Sequence, residues 1–381
     1  EFEVEVTSGA GIEISADGMS YSNYIKKDDI YDAINSAGSS TVLDHVTSPN
    51  GINFKTIGFN ETDGKVHFNN PATSGWTEFK LWFRSPEKDV KVYMLKNTTV
   101  TSTGIKWVAD ADFKLKSTDE SLTVVGDEYT LYGANAVRIS TTENTVTYTS
   151  ESGFSYTPGT SAKVFELGHT EDDQKLGKNI QTEYGSVAYY NSKNPNNQIT
   201  INPNNPPALP EVYGYESLPE LKELNTSDFP ETYVPVDTLT AASDISGTTL
   251  YYGQITVRIW LEGWDPDMFN AIMADKIKIH LFFGGHSPSS QLSISTGVES
   301  PLELEVGGTE SFTVTVAGYE GKILVHSSNE GVATVTINQA KQVTVKAVGE
   351  GTANITISLE KYPGVRKEIS VTVSNSSNSG E

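Results

Sequence analysis

Three observations predict an all-β protein: a jelly-roll-like β-sandwich with few short helices, followed by an immunoglobulin-like β-sandwich. Apolar residues alternate with polar ones over many short stretches, which is typical of strands with one buried face. Turn sequences separate these stretches at intervals of roughly 8–15 residues. At 381 residues the chain is also longer than one hydrophobic core usually supports, so two domains are expected.

The first predicted strand is EFEVEV, in which Phe2, Val4 and Val6 alternate with glutamates. No Met, charged segment or apolar segment precedes it, so we expect that a signal peptide was removed upstream or that the chain was trimmed there. The strand completes either its own sheet or the sheet of a neighbouring molecule.

Further strands follow up to about residue 194, with Asp-Gly turns at Asp17-Gly18 and Asp63-Gly64. TEFKLWF and DVKVYML each place three apolar residues on one face, namely Phe79, Leu81 and Phe83, and Val90, Val92 and Met94. Two short helices are predicted. The first contains Ile30, Tyr31 and Ile34 and ends near Gly38, and the second begins at Asp265-Pro266, with Met268, Phe269, Ile272 and Met273 as its apolar face.

The domain boundaries follow composition. Residues 1–285 form the predicted assembly domain, within which the proline-rich segment 195–236 is an ordered excursion rather than a mobile linker, because it keeps many apolar residues. GGHSPSSQ is the predicted boundary, residues 291–374 contain about seven strands, and residues 375–381 form a flexible tail.

The stretches LEVGGTESFTVTV, SSNEGVATVT and VTVKAVGEGTANITISL resemble the group-two bacterial immunoglobulin-like family. The residues in that family's characteristic positions are Asn329, Val332, Ala333, Val335, Ala347, Gly351, Ala353 and Ile355. Val325 stands where family members usually have Trp or Leu, so the core is expected to be smaller there. The resemblance covers about 85 residues and implies a location on the bacterial surface, not a chemistry.

VTSGAGIEISADG, together with ITVRIWLEGWDPDMFNAIMADKIKIHLFF, is similar in layout to the TasA/camelysin class of jelly-roll fibre subunits. In that class an N-terminal strand of one subunit completes the sheet of the next. The resemblance therefore implies that Phe2, Val4 and Val6 belong to an assembly strand.

Composition limits the chemistry. The formal net charge is −22, which disfavours nucleic acid and anionic membranes as partners and favours cations such as Ca²⁺. The chain has no cysteine, so disulfides, thiolate nucleophiles and cysteine–metal sites are excluded. The sequence contains no run of 18 or more apolar residues, so no membrane-spanning segment is predicted.

No catalytic constellation is predicted, and the expected class is a non-enzyme without a cofactor. The six histidines lack zinc-site spacing, and His280 is expected on a solvated strand face: they are His45, His67, His169, His280, His286 and His326. Asp110 and Asp112 would share one side of a strand, which indicates an exposed acidic end or a cation site rather than a glycosidase pair. Glu171, Asp172 and Asp173 are candidate Ca²⁺ ligands, although no Asp-x-Asp-x-Asp-Gly loop is present.

Trp82 and Trp260 lie beside apolar strand faces and should point the opposite way. They predict a subunit interface, a sugar-binding platform, or a second layer covered by the proline-rich excursion.

The leading hypothesis is a secreted subunit of an extracellular bacterial filament. The filament would be a homopolymer at the cell surface or in a matrix, assembled by donation of the first strand. The alternatives are a monomeric surface adhesin that binds a glycan or a host protein, and an extracellular glycoside-active enzyme.

Overall fold

The fold is all-β, as predicted, with β-sheets stacked around apolar cores. The computed structural model describes residues 2–9, 11–60, 62–68, 70–112, 123–168, 185–201, 208–226, 229–245, 247–265, 267–268, 272–360 and 362–375. Within these ranges the chain divides into two compact units. Unit 1 comprises residues 1–224 and 230–286, and unit 2 comprises residues 225–229 and 287–381.

Unit 1 contains twenty-one described strands and two α-helices. The helices are α1 (Lys27–Ser36) and α2 (Gly185–Lys193). The strands are β1 (Phe2–Ser8), β2 (Glu13–Ser15), β3 (Tyr24–Ile25), β4 (His45–Thr47), β5 (Lys55–Thr56), β6 (Gly58–Asn60), β7 (Lys65–His67), β8 (Trp76–Ser85), β9 (Val90–Met94), β10 (Thr99–Ser102), β11 (Ile105–Val108), β12 (Glu128–Leu131), β13 (Val137–Thr149), β14 (Gly153–Thr157), β15 (Lys163–Phe165), β16 (Thr200–Ile201), β17 (Val212–Tyr213), β18 (Pro235–Leu239), β19 (Ala241–Ile245), β20 (Thr248–Glu262) and β21 (Ile277–His286).

Two large sheets build the core of unit 1. A six-stranded sheet has the order β18-β9-β21-β1-β3, with β10 also paired to β21. A ten-stranded sheet has the order β17-β15-β13-β20-β4-β5, with β14 on β13, β19 and β8 on β20, and β2 on β8. The alternation predicted for β8 is confirmed, since Phe79, Leu81 and Phe83 are all fully buried. Phe83 meets Phe283 of the six-stranded sheet edge to face at 5.3 Å, which joins the two sheets through one core.

Helix α1 forms where its apolar spacing predicts. Ile30 and Ile34 are fully buried on one face, and Asp28 and Asp29 lie in the first turn. The helix ends because Gly38 adopts a φ of 68°, and the N–H of Ser39 then donates to the carbonyl of Ile34. Helix α2 was not predicted. Of the second predicted helix, Pro266 and Phe269 lie outside the described residues, while the Asp265 carboxylate accepts a hydrogen bond from the N–H of Asp267, as expected of a capping residue.

Within unit 1, the described part of the proline-rich segment is ordered and packs against the rest of the unit. It contains β16, β17 and two 3₁₀-helices, Tyr215–Ser217 and Leu221–Asn225. Leu218 and Leu224 are fully buried, and the hydroxyl of Tyr215 donates to two backbone carbonyls of unit 1. Burial of these apolar groups explains why prolines and an ordered chain path coexist here. No helix of the described residues is long and apolar enough to cross a membrane.

Unit 2 is a sandwich of two four-stranded sheets. Its strands are β22 (Ser293–Thr296), β23 (Leu302–Glu305), β24 (Thr309–Ala317), β25 (Ile323–Ser327), β26 (Ala333–Ile337), β27 (Gln342–Ala347), β28 (Gly351–Leu359) and β29 (Tyr362–Ser374). The sheet orders are β22-β24-β27-β26 and β23-β29-β28-β25. The chain turns between β23 and β24 at Gly307-Gly308, where Gly307 has a φ of 87°.

The residues that carry the immunoglobulin-like resemblance have structural roles in unit 2. Ala333, Ala347 and Ile355 are buried in its core. Asn329 forms a turn, because its side-chain oxygen accepts the N–H of Gly331 and its carbonyl accepts the N–H groups of Val332 and Ala333. Nearly all of the predicted flexible tail, from residue 376 onwards, lies outside the described residues.

Candidate functional site: strand β1 and an aromatic groove

Strand β1 is part of its own unit's sheet. It runs parallel to β21, and the two strands are in register from Phe2 opposite Ile277 to Ser8 opposite Phe283. Val4 and Val6 are fully buried and Phe2 is 7% exposed. In the single chain β1 therefore pairs within its own unit, whereas the leading hypothesis expected it to complete the sheet of a neighbouring molecule. Its apolar face matches the core beside β21, and its backbone groups find partners there.

The other edge of β1 is mostly without a strand partner. Among the described residues, β3 pairs only with Val6 and Thr7, which leaves residues 2–5 open on that side. The hydroxyl of Tyr31 donates to the carbonyl of Phe2 at 2.5 Å. Lys27 lies 2.9 Å from the carboxylate of Glu3, and its hydrogen bond lowers the pKa of Glu3. Helix α1 thus covers the open edge with side chains rather than with a ladder.

A short glycine-containing link joins β1 to β2. Gly9 donates its N–H to the carbonyl of Phe283, which extends the contact with β21 by one residue. Gly11 has a φ of 78°, a backbone conformation that favours glycine. Strand β1 is therefore a compact seven-residue segment, separated from the remainder of unit 1 by a turn.

An aromatic groove of about 800 Å³ lies on the outer face of the ten-stranded sheet. Trp82 forms part of its wall, as the alternation of β8 predicts, because Trp82 faces away from Leu81 and Phe83. Tyr156 of β14 meets Trp82 edge to face at 6.4 Å and is 42% exposed. The segment 16–25 and one side of α1 complete the groove.

The floor of this groove carries polar groups that lack partners. Gln254 of β20 is fully buried, and its amide oxygen accepts a hydrogen bond from Asn144 at 2.8 Å. The Nε2 donor of Gln254 and the hydroxyl of Tyr21 have no hydrogen-bond partner among the described residues. Burial raises the pKa of Tyr21, so its hydroxyl keeps its proton.

The rim of the groove is acidic. Asp17, Asp29 and Asp32 line it, with Lys80 as the basic lining residue. The backbone N–H groups of Met19 and Ser20 donate to one carboxylate oxygen of Asp17. Burial acts to raise the pKa of Asp17, but these hydrogen bonds outweigh it and the net shift is downward. The Asp17 carboxylate is therefore charged at neutral pH.

Trp260 lies in a different environment and offers no surface to a partner. It is fully buried, packs edge to face against Phe54 at 5.2 Å, and shares its cluster with Val164 and Val212. Val212 belongs to the proline-rich segment. The interpretation of Trp260 as an interface aromatic is therefore wrong, and the alternative of a covered second layer applies to it.

A buried charge cluster that the sequence did not reveal adjoins Trp260. Arg138 on β13 pairs in register with Trp260, and its guanidinium donates to Asp265 at 2.7 Å and lies 3.4 Å from Glu166. Burial acts to lower the pKa of Arg138, but these carboxylates outweigh it and raise the pKa. Glu262 accepts hydrogen bonds from the indole N–H of Trp260 and from the backbone of Trp264. The WLEGWD stretch is thus a structural core motif.

The other described candidate carboxylates form contacts within the fold. Asp110 and Asp112 lie in a loop after β11, not on a strand as predicted. Lys193 binds Asp110 at 2.7 Å and lowers its pKa, while Asp112 accepts the N–H of Val125. His280 is half-buried and its ring nitrogen lies 2.8 Å from the Thr7 hydroxyl.

Glu171, Asp172, Asp173 and His169 lie outside the described residues. Among those that the structure describes, no cluster of three or more His, Asp or Glu residues has the arrangement of a metal site.

One further carboxyl group is unusual. Asp237 on β18 is 2% exposed and lines a second cavity of about 340 Å³, together with Glu143 and Lys163. Burial, followed by the charge of Glu143, raises the pKa of Asp237 well above its usual range. Asp237 Oδ2 has no hydrogen-bond partner among the described residues, and burial favours the protonated form of this carboxyl group.

The sequence matches no protein-family model and no curated protein. Solved structures that it matches include domains 5–6 of the S-layer protein SbsC, at 24% identity and a TM-score of 0.20 over 22% of this chain and 43% of that one. Domains 4 and 5 match at 24% identity and a TM-score of 0.19, over 21% of this chain and 50% of that one. Domains 1–6 match at 10% identity and a TM-score of 0.20, over 88% and 39%.

The chain spans half or less of the length of these matched structures. At such TM-scores the likeness carries no argument about function.

Proposed function

We propose that the protein is an extracellular structural protein of the bacterial surface, and that unit 1 assembles with further copies by exchanging β1. The observation that carries this proposal is the position of β1. One edge is fully paired, its apolar face lies in the core, and a short link joins it to the remainder of unit 1. A chain whose β1 leaves would expose a slot that another copy's β1 fits.

Exchange is energetically accessible because the closed and the exchanged forms contain the same contacts. Phe2, Val4 and Val6 would be buried against β21 in either form, and each exchanged copy would both give and receive a strand. Only the conformation of residues 9–12 needs to differ between the two forms. Protein concentration then decides which form is populated, and head-to-tail exchange propagates as a filament.

Composition is compatible with an extracellular location. A net charge of −22 keeps a surface protein soluble, and the lack of cysteine does not argue for the cytoplasm. The resemblance of residues 291–374 to bacterial immunoglobulin-like modules points to the same location. On this proposal unit 2 is a surface-displayed module, and self, cell surface and matrix are the partners.

The absence of cysteine makes a direct test of exchange available. Glu3 and Lys278 are register partners on the outer face of β1 and β21. Neighbouring strands lie about 4.8 Å apart, which is within the reach of a disulfide. The variant E3C/K278C is therefore expected to form an intrachain disulfide when it is oxidised as a dilute monomer. It should then fail to assemble until it is reduced.

Oxidation after assembly is the decisive measurement. If β1 has been exchanged, non-reducing electrophoresis will show a ladder of covalent multimers, and negative-stain microscopy will show filaments. The control variant K106C/T130C joins register partners within the β11–β12 hairpin and should form intrachain disulfides in every state. Assembled E3C/K278C that yields only covalent monomers, or a chain that stays monomeric at every concentration, contradicts the proposal.

A second candidate function is that of a monomeric surface adhesin. The aromatic groove favours it, since Trp82 and Tyr156 lie on an open face with unpaired polar groups beneath them. A chain that binds a ligand in this groove but never assembles would support the adhesin and exclude the polymer.

A further inference from the structure

We propose that the groove on unit 1 is a binding site for a neutral oligosaccharide. Its volume of about 800 Å³ is within the range of ligand sites in proteins. This inference does not depend on whether β1 is exchanged, because β1 does not line the groove.

The aromatic wall provides the first argument. Tyr156 and Tyr24 are 42% and 49% exposed, and Trp82 lies between β14 and the segment 16–25. Aromatic side chains that combine a flat apolar face with a polar tip suit a ligand that is itself apolar on one face and hydroxylated at its edges. The C–H face of a pyranose ring has this character.

The floor provides the second argument, which is independent of the first. The Nε2 donor of Gln254 and the hydroxyl of Tyr21 are buried and have no partner in the described part of the chain. An unpaired buried donor is costly, so such groups are normally paired by protein, water or ligand. A sugar hydroxyl can accept from the amide and can also donate to or accept from the phenol.

Charge provides the third argument and selects among ligands. Three aspartates, Asp17, Asp29 and Asp32, line the groove against one lysine, Lys80, whose ammonium lies 5.4 Å from the ring centroid of Tyr156. Anionic glycans are therefore repelled. A cationic peptide would match the rim, and its backbone carbonyls could accept from Gln254, but it lacks the flat apolar ring face that suits the aromatic wall. A neutral oligosaccharide offers both the flat face and the acceptors.

The test is calorimetric titration of the full chain with five probes. Three are neutral hexasaccharides, namely cellohexaose, chitohexaose and mannohexaose; hexagalacturonate is the anionic probe and hexalysine the cationic one. We expect at least one neutral hexasaccharide to bind, and hexagalacturonate and hexalysine to bind more weakly or not at all. Tyr156→Ala should weaken binding by about tenfold or more, as is typical when an aromatic anchor is lost.

Tyr132→Ala is the matched control, because Tyr132 is 41% exposed but lies outside the groove. It should leave the affinity unchanged. If Tyr156→Ala fails to fold by circular dichroism, Tyr24→Ala takes its place, since Tyr24 is an exposed groove tyrosine. Three results overturn the proposal: no neutral probe binding at millimolar concentration, equal effects of the groove and control variants, or tighter binding of hexalysine or hexagalacturonate.

Discussion

The two ends of one sheet face differ in what covers them. On the outer face of β8 and β20, Trp76 is in register with Trp260, and Trp82 is in register with Gln254. At the first end, Phe54 stacks on Trp76 at 4.4 Å and Trp260 is fully buried. At the second end, Trp82 lines an open groove. Strand alternation therefore decides the face on which a side chain lies, while distant segments decide whether it is exposed.

The largest expected effect on stability is at the Trp260 end of this face, called the sealed end below, where Arg138 balances buried carboxylates. Arg138→Met keeps the volume of the side chain but leaves Asp265 and Glu166 without their cation. Breaking a buried ion pair in this way costs about 3–5 kcal/mol, so the free energy of unfolding should fall by that amount. Urea denaturation measures this loss. Arg258→Met, at an ion pair whose side chains are 12% and 29% exposed, should cost less, and equal losses would contradict the importance of full burial here.

Trp260→Ala should have the next largest effect. Removing a fully buried indole loses its apolar burial and leaves a cavity, which typically costs about 3–5 kcal/mol. The hydrogen bond from its indole N–H to Glu262 is lost as well. Thermal unfolding followed by circular dichroism measures the change. A loss below about 1 kcal/mol would mean that the sealed end is open in solution.

Asp237→Asn should raise stability, and the gain should depend on pH. Because burial raises the pKa of Asp237 in the folded state, wild-type stability falls as pH rises from near 4, where an unfolded aspartate ionises, towards the higher folded-state pKa. The Asn variant lacks this loss and can donate to Glu143. The gain at neutral pH should be about 1–3 kcal/mol, which is the cost of an unpaired buried polar group.

Unfolding temperatures measured from pH 4 to pH 8 test this prediction. The exposed Asp244 provides the control variant Asp244→Asn, for which the wild-type pH profile should be retained. A constant difference between wild type and Asp237→Asn across the pH range would contradict the raised pKa.

The smallest expected effect is that of Trp82→Ala on stability. Its indole is only partly buried and meets Phe154 at 5.7 Å and Tyr156 at 6.4 Å, both edge to face. Each aromatic pair is worth about 0.5–1.5 kcal/mol beyond the area that it buries, and because the indole is only partly buried the total cost should stay below that of Trp260→Ala. Comparison with Trp260→Ala in the same denaturation assay measures the difference between the two ends. Equal costs would mean that the groove is closed in solution.

The sequence predicted what depends on local pattern. Alternation in β1 and β8 predicted which residues face the core, and the Asp-Gly turns predicted where strands reverse. It did not predict whether Trp82 or Trp260 is exposed, because their covers come from residues 16–25, Phe54 and Val212, which are far away in the chain. It also missed the partnership of Arg138 with Asp265, which are separated by 127 residues.

Local sequence pattern likewise could not predict which strand β1 pairs with. Alternation showed that β1 has one apolar face, and this is compatible with β21 of the same chain or of another. The unpaired groups beneath the groove, Gln254 and Tyr21, give no sequence signal, because an alternating polar residue on β20 resembles any solvated one.

The β1–β21 ladder also bears on the order in which the chain folds. Thr7 and His280 are 273 residues apart in the chain, yet their side chains lie 2.8 Å apart on adjacent strands. Contacts of such long range form late, and the six-stranded sheet cannot close until β21 has been synthesised. Until then β1 is an apolar strand without its partner, and on the proposed exchange the local concentration of chains would influence which copy it joins.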